Sequence, residues 1–334
     1  MRLITFIAPA SVFIAVLAHA AVPPDIETQL KEIGRVVNPP ATAKLYRPLQ
    51  PNPPYKGVKV ERDIKYGSDP RMLMDVFAPE KGGGKRPVLI YVSGGAGNKI
   101  EQVPGGDAFY DNIMLWAVKN GMTGVNMQRR GGQGLEWDDP GKDVGTVIQW
   151  VQQNISKFKG NPDRVFLWAH SAGNAPVAIY LSHPEFFGPK GVGLKGAVLM
   201  ASPGFNIAPV PTPAFAPGPG GPGGPPKAGP PPDGKGDGKA KGRGAGPDPA
   251  VQLARSSLPG LLKLNIPIFV ASGELDPPVM NEFADILKDQ LCKAGHCPTV
   301  ALFKDHSHMS EVFSANTADD SVTAPILKWM KGIK

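Results

Sequence analysis

The segment Ala169-His170-Ser171-Ala172-Gly173 constrains this chain more than any other. It follows the apolar run Arg164-Val165-Phe166-Leu167-Trp168 and precedes a helix-like stretch at 174–183. A serine with small residues two positions to either side fits a sharp strand-to-helix turn, because larger side chains would hold strand and helix apart. The turn strains the serine backbone and lifts its hydroxyl clear of the chain. The helix behind it aims the positive end of its dipole at the same point, where negative charge is stabilised. Ala169 stands where glycine is commoner, and a methyl group is still small enough. Pro176 falls in the first helical turn, where a missing N–H is tolerated. The rest of the sequence must then supply a sheet in which one strand ends at Ser171.

The remaining pattern does so. Segments 58–66 and 71–77 read as two strands joined by the turn Gly67-Ser68-Asp69-Pro70. Segment 87–93 is a continuous apolar run, the signature of a strand buried on both faces. Helical signals at 108–120 and 143–158 flank a strand at 123–128. Three further strands are predicted at 196–202, 266–272 and 299–304, and helices at 278–291 and 324–332. Alternating strands and helices imply a mainly parallel, eight-stranded sheet covered by helices on both faces. Upstream, 21–54 is a proline-rich lead with one short helix at 25–36. Segment 211–248 departs from the pattern: dominated by glycine and proline, it has too few apolar side chains to offset its ordering entropy, which predicts a disordered insertion.

Composition bounds the setting. With 334 residues, 41% apolar and 19% charged, the chain is long enough for a sizeable core. Arg2, an apolar centre and Ala18-His19-Ala20 read as a secretory signal peptide over 1–20. That apolar centre falls short of the roughly 20 residues a membrane span needs. Export places Cys292 and Cys297, the only cysteines, where a disulfide persists, and their close spacing suggests that they pair. The two cysteines with His296 offer too few ligands for zinc, so no metal is expected. The net charge of +7 is spread along the chain without basic clusters interleaved with aromatics, which argues against nucleic acid as a partner.

Acyl transfer by a serine requires a base, an acid to orient it and donors for an oxyanion. Asp276 follows the strand at 266–272 and is the preferred acid, with Glu274 of the same turn as its alternative. His308 follows the last strand and directly precedes a helix-like stretch, which favours it over His306 as the base. His170 sits beside the nucleophile and reads as a wall of the pocket. The backbone N–H of Ala172 is one oxyanion donor, and Gly95 or Ala96 in Ser93-Gly94-Gly95-Ala96-Gly97 supplies the second. No P-loop lysine-serine pair follows that loop, so a phosphate cradle is disfavoured.

These segments, with Tyr66-Gly67 and Asp75-Val76-Phe77-Ala78-Pro79, resemble the α/β-hydrolase superfamily, and most of all carboxylesterases related to hormone-sensitive lipase and to arylformamidases. The resemblance runs over 58–334 and reproduces the family order of nucleophile, acid and histidine. It implies an α/β-hydrolase domain over 55–334 and a serine hydrolase that cleaves small-molecule esters without a cofactor. The family's oxyanion loop usually begins with histidine, and Ser93 holds that place here. An amidase, formamidase or peptidase on the same scaffold is the nearest alternative, and a non-catalytic envelope-binding protein the more distant one. Oligomeric state leaves no trace in the sequence.

Overall fold

The computed structural model describes residues 21–103, 106, 108–132, 134–213 and 248–334. The leader expected at 1–20 and most of the insertion expected at 211–248 lie outside the described residues. Eight strands form one sheet: β1 (Val58–Lys65), β2 (Leu73–Pro79), β3 (Arg86–Val92), β4 (Thr123–Met127), β5 (Gly160–His170), β6 (Gly196–Met200), β7 (Ile268–Leu275) and β8 (Thr299–Ser307). Their order is β1-β2-β4-β3-β5-β6-β7-β8. The pairs β1–β2 and β2–β4 are antiparallel, and every other pair is parallel. Helices of the described residues are α1 (Pro24–Ile33), α2 (Pro39–Tyr46), α3 (Asp111–Lys119), α4 (Asp139–Asn154), α5 (Asn174–Ser182), α6 (Pro249–Ala254), α7 (Leu258–Leu261), α8 (Pro278–Lys293), α9 (Ser310–Phe313) and α10 (Thr323–Gly332).

Strand periodicity explains why the parallel strands read as unbroken apolar runs. Leu89, Tyr91, Phe166, Trp168, Val198 and Phe269 face one core cluster, with α1, α2, α3 and α10 covering it. Their neighbours Val88, Ile90, Leu167, Leu199 and Val270 face a second cluster, covered by α4, α5, α7 and α8. Successive side chains point to opposite faces, so burial on both faces demands apolar residues at nearly every position. After β3 the chain turns to one side, through α3 to β4; it then crosses by α4 to β5 on the other side. A crevice therefore opens beyond the carboxyl ends of β3 and β5, where such sheets place their ligand sites.

The lead at 21–54 carries a second helix beyond the one expected. Pro39 and Pro40 open α2, and Asn38 caps it by accepting the Ala41 N–H at 3.2 Å. Proline in the first helical turn removes only an N–H that has no partner there. Ile26, Leu30, Ala43 and Tyr46 join the first core cluster. Gln50, just beyond, donates from Nε2 to the carbonyls of Phe313 (3.0 Å) and Ala315 (2.9 Å). These bonds fasten the end of α9. Arg35 Nε also donates to the Asp276 carbonyl at 2.8 Å. The lead is thus tied to the segments that bear the expected base and acid.

Candidate active site

Ser171 occupies the turn from β5 into α5 with φ +54°, a left-handed conformation that strains any residue with a Cβ. Gly173 shows why the turn needs small residues. A Cβ there would lie 2.3 Å from the Val92 carbonyl oxygen and 2.6 Å from that of Ser93. Asn174 braces the turn, its Nδ2 donating to the carbonyls of Ser171 and Met200, each at 2.8 Å.

The C-terminal ends of β7 and β8 bring the other two residues in. His308 Nε2 lies 2.9 Å from Ser171 Oγ, and His308 Nδ1 lies 2.9 Å from Asp276 Oδ1. Both His308 and Asp276 are buried. The carboxylate accepts at Nδ1, so the imidazole proton sits there and Nε2 is free to accept from the serine hydroxyl. Asp276 Oδ2 accepts the Gly273 N–H at 2.8 Å, which fixes the carboxylate plane. Ser171, His308 and Asp276 therefore form one continuous hydrogen-bonded chain.

The alternatives lie elsewhere. His306 is fully buried between Ser310 Oγ (3.0 Å) and Ser321 Oγ (2.7 Å), and burial holds its imidazole below the usual histidine range. Glu274 accepts the Asp305 N–H at 2.9 Å on the exposed side of the turn. Cys292 and Cys297 are joined in a disulfide at the end of α8. Among the described residues, no group of three or more His, Cys, Asp or Glu side chains is arranged to hold a metal ion.

Beyond β3, Gly94 is pressed against the serine: a Cβ at this position would lie 2.5 Å from Ser171 Cβ and 3.0 Å from its Oγ. Gly95 takes φ +53°, and the Gly97 N–H donates to the Gly94 carbonyl at 2.9 Å, closing the turn. Ser93 is buried, and its hydroxyl donates to the Asn98 carbonyl at 2.6 Å, which ties the loop to itself. Arg129 donates to the Gly95 carbonyl from the neighbouring strand end. A cavity of about 470 Å³ opens here, lined by Gly95, Ala96, Asn98, Gln128 and Arg129 among others.

Sequence reasoning missed the buried charges that hold this loop. Lys99 Nζ lies 2.8 Å from Asp75 Oδ1, and Arg62 Nη1 reaches Asp75 Oδ2 at 2.7 Å. Arg62 also bonds Asp111, which accepts the Tyr55 hydroxyl at 2.8 Å. A bulge between Glu61 and Ile64 turns Arg62 inward. Asp75 amid the apolar residues of β2 was the available signal, since a lone charge there demands a buried partner. Glu311, also missed, lies one helical turn past His308 with both carboxyl oxygens buried.

Comparison with known proteins agrees with this architecture. Residues 74–180 match the BD-FAE family. Human cocaine esterase is 30% identical over 127 residues, 35% of this chain and 22% of that protein. An isoprenylcysteine alpha-carbonyl methylesterase of Arabidopsis thaliana is 30% identical over 115 residues, 34% of this chain and 26% of its own length. The chain thus spans about a quarter of the length of these curated relatives. A hyperthermophilic esterase from Pyrobaculum calidifontis superimposes with a TM-score of 0.61 at 14% identity, covering 93% of this chain and 98% of that one. The chain has the α/β-hydrolase fold. Over about a third of its length its sequence resembles esterases.

Proposed function

We propose that this chain is an exported serine hydrolase that cleaves carboxylic esters through an acyl-enzyme on Ser171. The observation that carries the reading is the unbroken run Ser171–His308–Asp276, both links at 2.9 Å, rooted in a strained turn. In this mechanism His308 Nε2 takes the proton from Ser171 Oγ as the oxygen attacks the ester carbonyl. Asp276 keeps the imidazole in the required tautomer and balances the imidazolium that forms. The N–H groups of Ala172 and of Gly95 or Ala96 receive the oxyanion; one such donor is worth roughly 3–4 kcal/mol in the transition state. His308 then protonates the departing alcohol, and water, deprotonated by the same imidazole, releases the acid. The steps need no cofactor. The esterase names of the matched relatives support the substrate class, and the leader at 1–20 with the Cys292–Cys297 bridge supports export.

Hydrolysis of a p-nitrophenyl ester series by the chain and by Ser171→Ala tests the reading. Loss of the nucleophile lowers kcat by about 10⁶. A variant that retains wild-type hydrolysis would place the chemistry on another residue.

A further inference from the structure

Glu311 is fully buried in α9, three residues beyond His308, and sits where no charge is provided for it. Among the described residues, neither of its carboxyl oxygens meets a hydrogen-bond donor, and the charge it interacts with is that of the Asp276 carboxyl. A Cβ on Gly273 would lie 2.8 Å from Glu311 Oε1, so the group is wedged against the turn that carries Asp276. The side chains facing it are Asp276, His170 from the end of β5 and Tyr91 from β3. Among the described residues, no lysine or arginine forms an ion pair with it. His170 Nε2 is 3.7 Å from Glu311 Oε2, too far for a hydrogen bond, and lies 2.9 Å from the His308 carbonyl. That carbonyl can only accept, so His170 donates to it and presents no proton to Glu311 from that nitrogen.

Two carboxyl groups in contact bond only when one carries a proton, and two adjacent buried anions repel strongly. Asp276 is the anion of the pair, because His308 Nδ1–H and the Gly273 N–H both donate to it. We propose that Glu311 is a positioning residue of the triad: a neutral carboxylic acid whose O–H donates to Asp276 and locks it against His308. Burial, reinforced by the Asp276 charge and hydrogen bond, holds the Glu311 carboxyl protonated well above the usual carboxylate range. Burial likewise keeps the His170 imidazole neutral, with the adjacent His308 acting in the same direction. The His170 ring lies against that of His308, centroids 4.6 Å apart, so a neutral His170 spares the base a second positive charge when it protonates. The arrangement extends the hydrogen-bonded chain to Ser171–His308–Asp276–Glu311.

The proposal rests on the hydrolase reading, and its test separates the two. The wild-type chain, Glu311→Gln and Glu311→Met are compared by the pH profile of kcat/KM and by infrared difference spectra at neutral pH. The spectra need no turnover. Wild type minus E311Q shows the carbonyl stretch of a protonated carboxyl if Glu311 is neutral, and a carboxylate band if it is ionised. In E311Q an amide N–H replaces the acid as donor to Asp276, so the acid limb of the profile stays in place and kcat falls less than about threefold. Glu311→Met has no donor, and kcat drops roughly 10- to 100-fold, the loss expected when a hydrogen bond to a charged group is removed. If E311M does not fold, the E311Q spectrum and profile decide alone. A carboxylate band, or an acid limb in E311Q displaced downward by about one unit or more, overturns the proposal, because both report the loss of an anion beside the base. Failure of the hydrolase reading would show instead as wild-type chain without esterase activity.

Discussion

Gly94→Ala puts the closeness of the oxyanion loop to a direct trial. The added methyl group would sit 2.5 Å from Ser171 Cβ, 3.0 Å from Oγ and 3.2 Å from the His170 carbonyl oxygen. Carbon atoms in good contact are about 3.5–4.0 Å apart, so the loop must retreat from the serine by roughly 1 Å. None of the obstructing atoms is the far end of a flexible side chain, and the strained Ser171 backbone has no freedom to yield. Overpacking of this kind costs about 1–3 kcal/mol of stability, readable as a lower melting temperature. The effect on catalysis is larger in proportion. Gly95 and Ala96 travel with Gly94, and misplacing an oxyanion donor by about 1 Å lowers kcat on the order of 100-fold. Ester hydrolysis under saturating substrate gives kcat, and titration with a fluorophosphonate counts the folded sites. Gly95→Ala is the contrast: nothing lies within 4 Å of its added Cβ, and only its φ of +53° resists the change. That strain costs roughly 1–2 kcal/mol. A Gly94→Ala variant with kcat within about threefold of wild type, at full site occupancy, would refute the claim that this loop is seated on the nucleophile.

Two further outcomes follow from buried groups outside the triad. Asp75→Asn leaves Lys99 with only the exposed Asp63 carboxylate, 3.0 Å away, as its counter-charge, and lowers unfolding free energy by about 1–3 kcal/mol, measured by urea denaturation. Gln50→Ala removes one of two donors to the Phe313 and Ala315 carbonyls, the other being Asn112 Nδ2; stability falls by about 1 kcal/mol, and kcat falls with it because α9 follows directly on His308. An unchanged kcat in the Gln50 variant would show that the lead does not hold the base in place.

Much of this site could be read from local sequence, and the reason is physical. Each of Ser171, Asp276 and His308 directly follows or closes a strand, and strands buried on both faces announce themselves as apolar runs. Glu274 and His306 lie inside β7 and β8, whereas Asp276 and His308 come just past the strand ends, where both reach the Ser171 turn. Long-range partners left no such mark. Lys99 and Asp75 are 24 residues apart, and Gln50 meets Phe313 across 263. Residues 39–46 looked like part of an irregular lead because proline punctuates it, yet Pro39 and Pro40 stand where a helix accepts them. Strand β5 begins at Gly160, four residues ahead of the apolar run that announces it, and Gly160 pairs with Arg86 before the register shifts at Val88. Glu311 was hidden by its chemistry: a neutral carboxylic acid cannot be told from a solvated carboxylate by residue type.

The seam between the lead and α9 makes the base the last part of the site to be secured. The elbow at Ser171 rests on β3, β5 and β6, neighbours in the sheet and all drawn from residues 86–200. The anchorage of His308 is different in kind, because Gln50 and Arg35 must return across 263 and 241 residues to meet Phe313 and Asp276. Closing loops of that length is slow, and Asn112, which donates to the same Phe313 and Ala315 carbonyls, is itself 201 and 203 residues away from them. Until those distant stretches meet, the His308 segment lacks part of its anchorage while the Ser171 turn does not depend on them. On the proposed reading, hydrolysis then reports whether the two ends of the chain have met as well as whether the serine is in place.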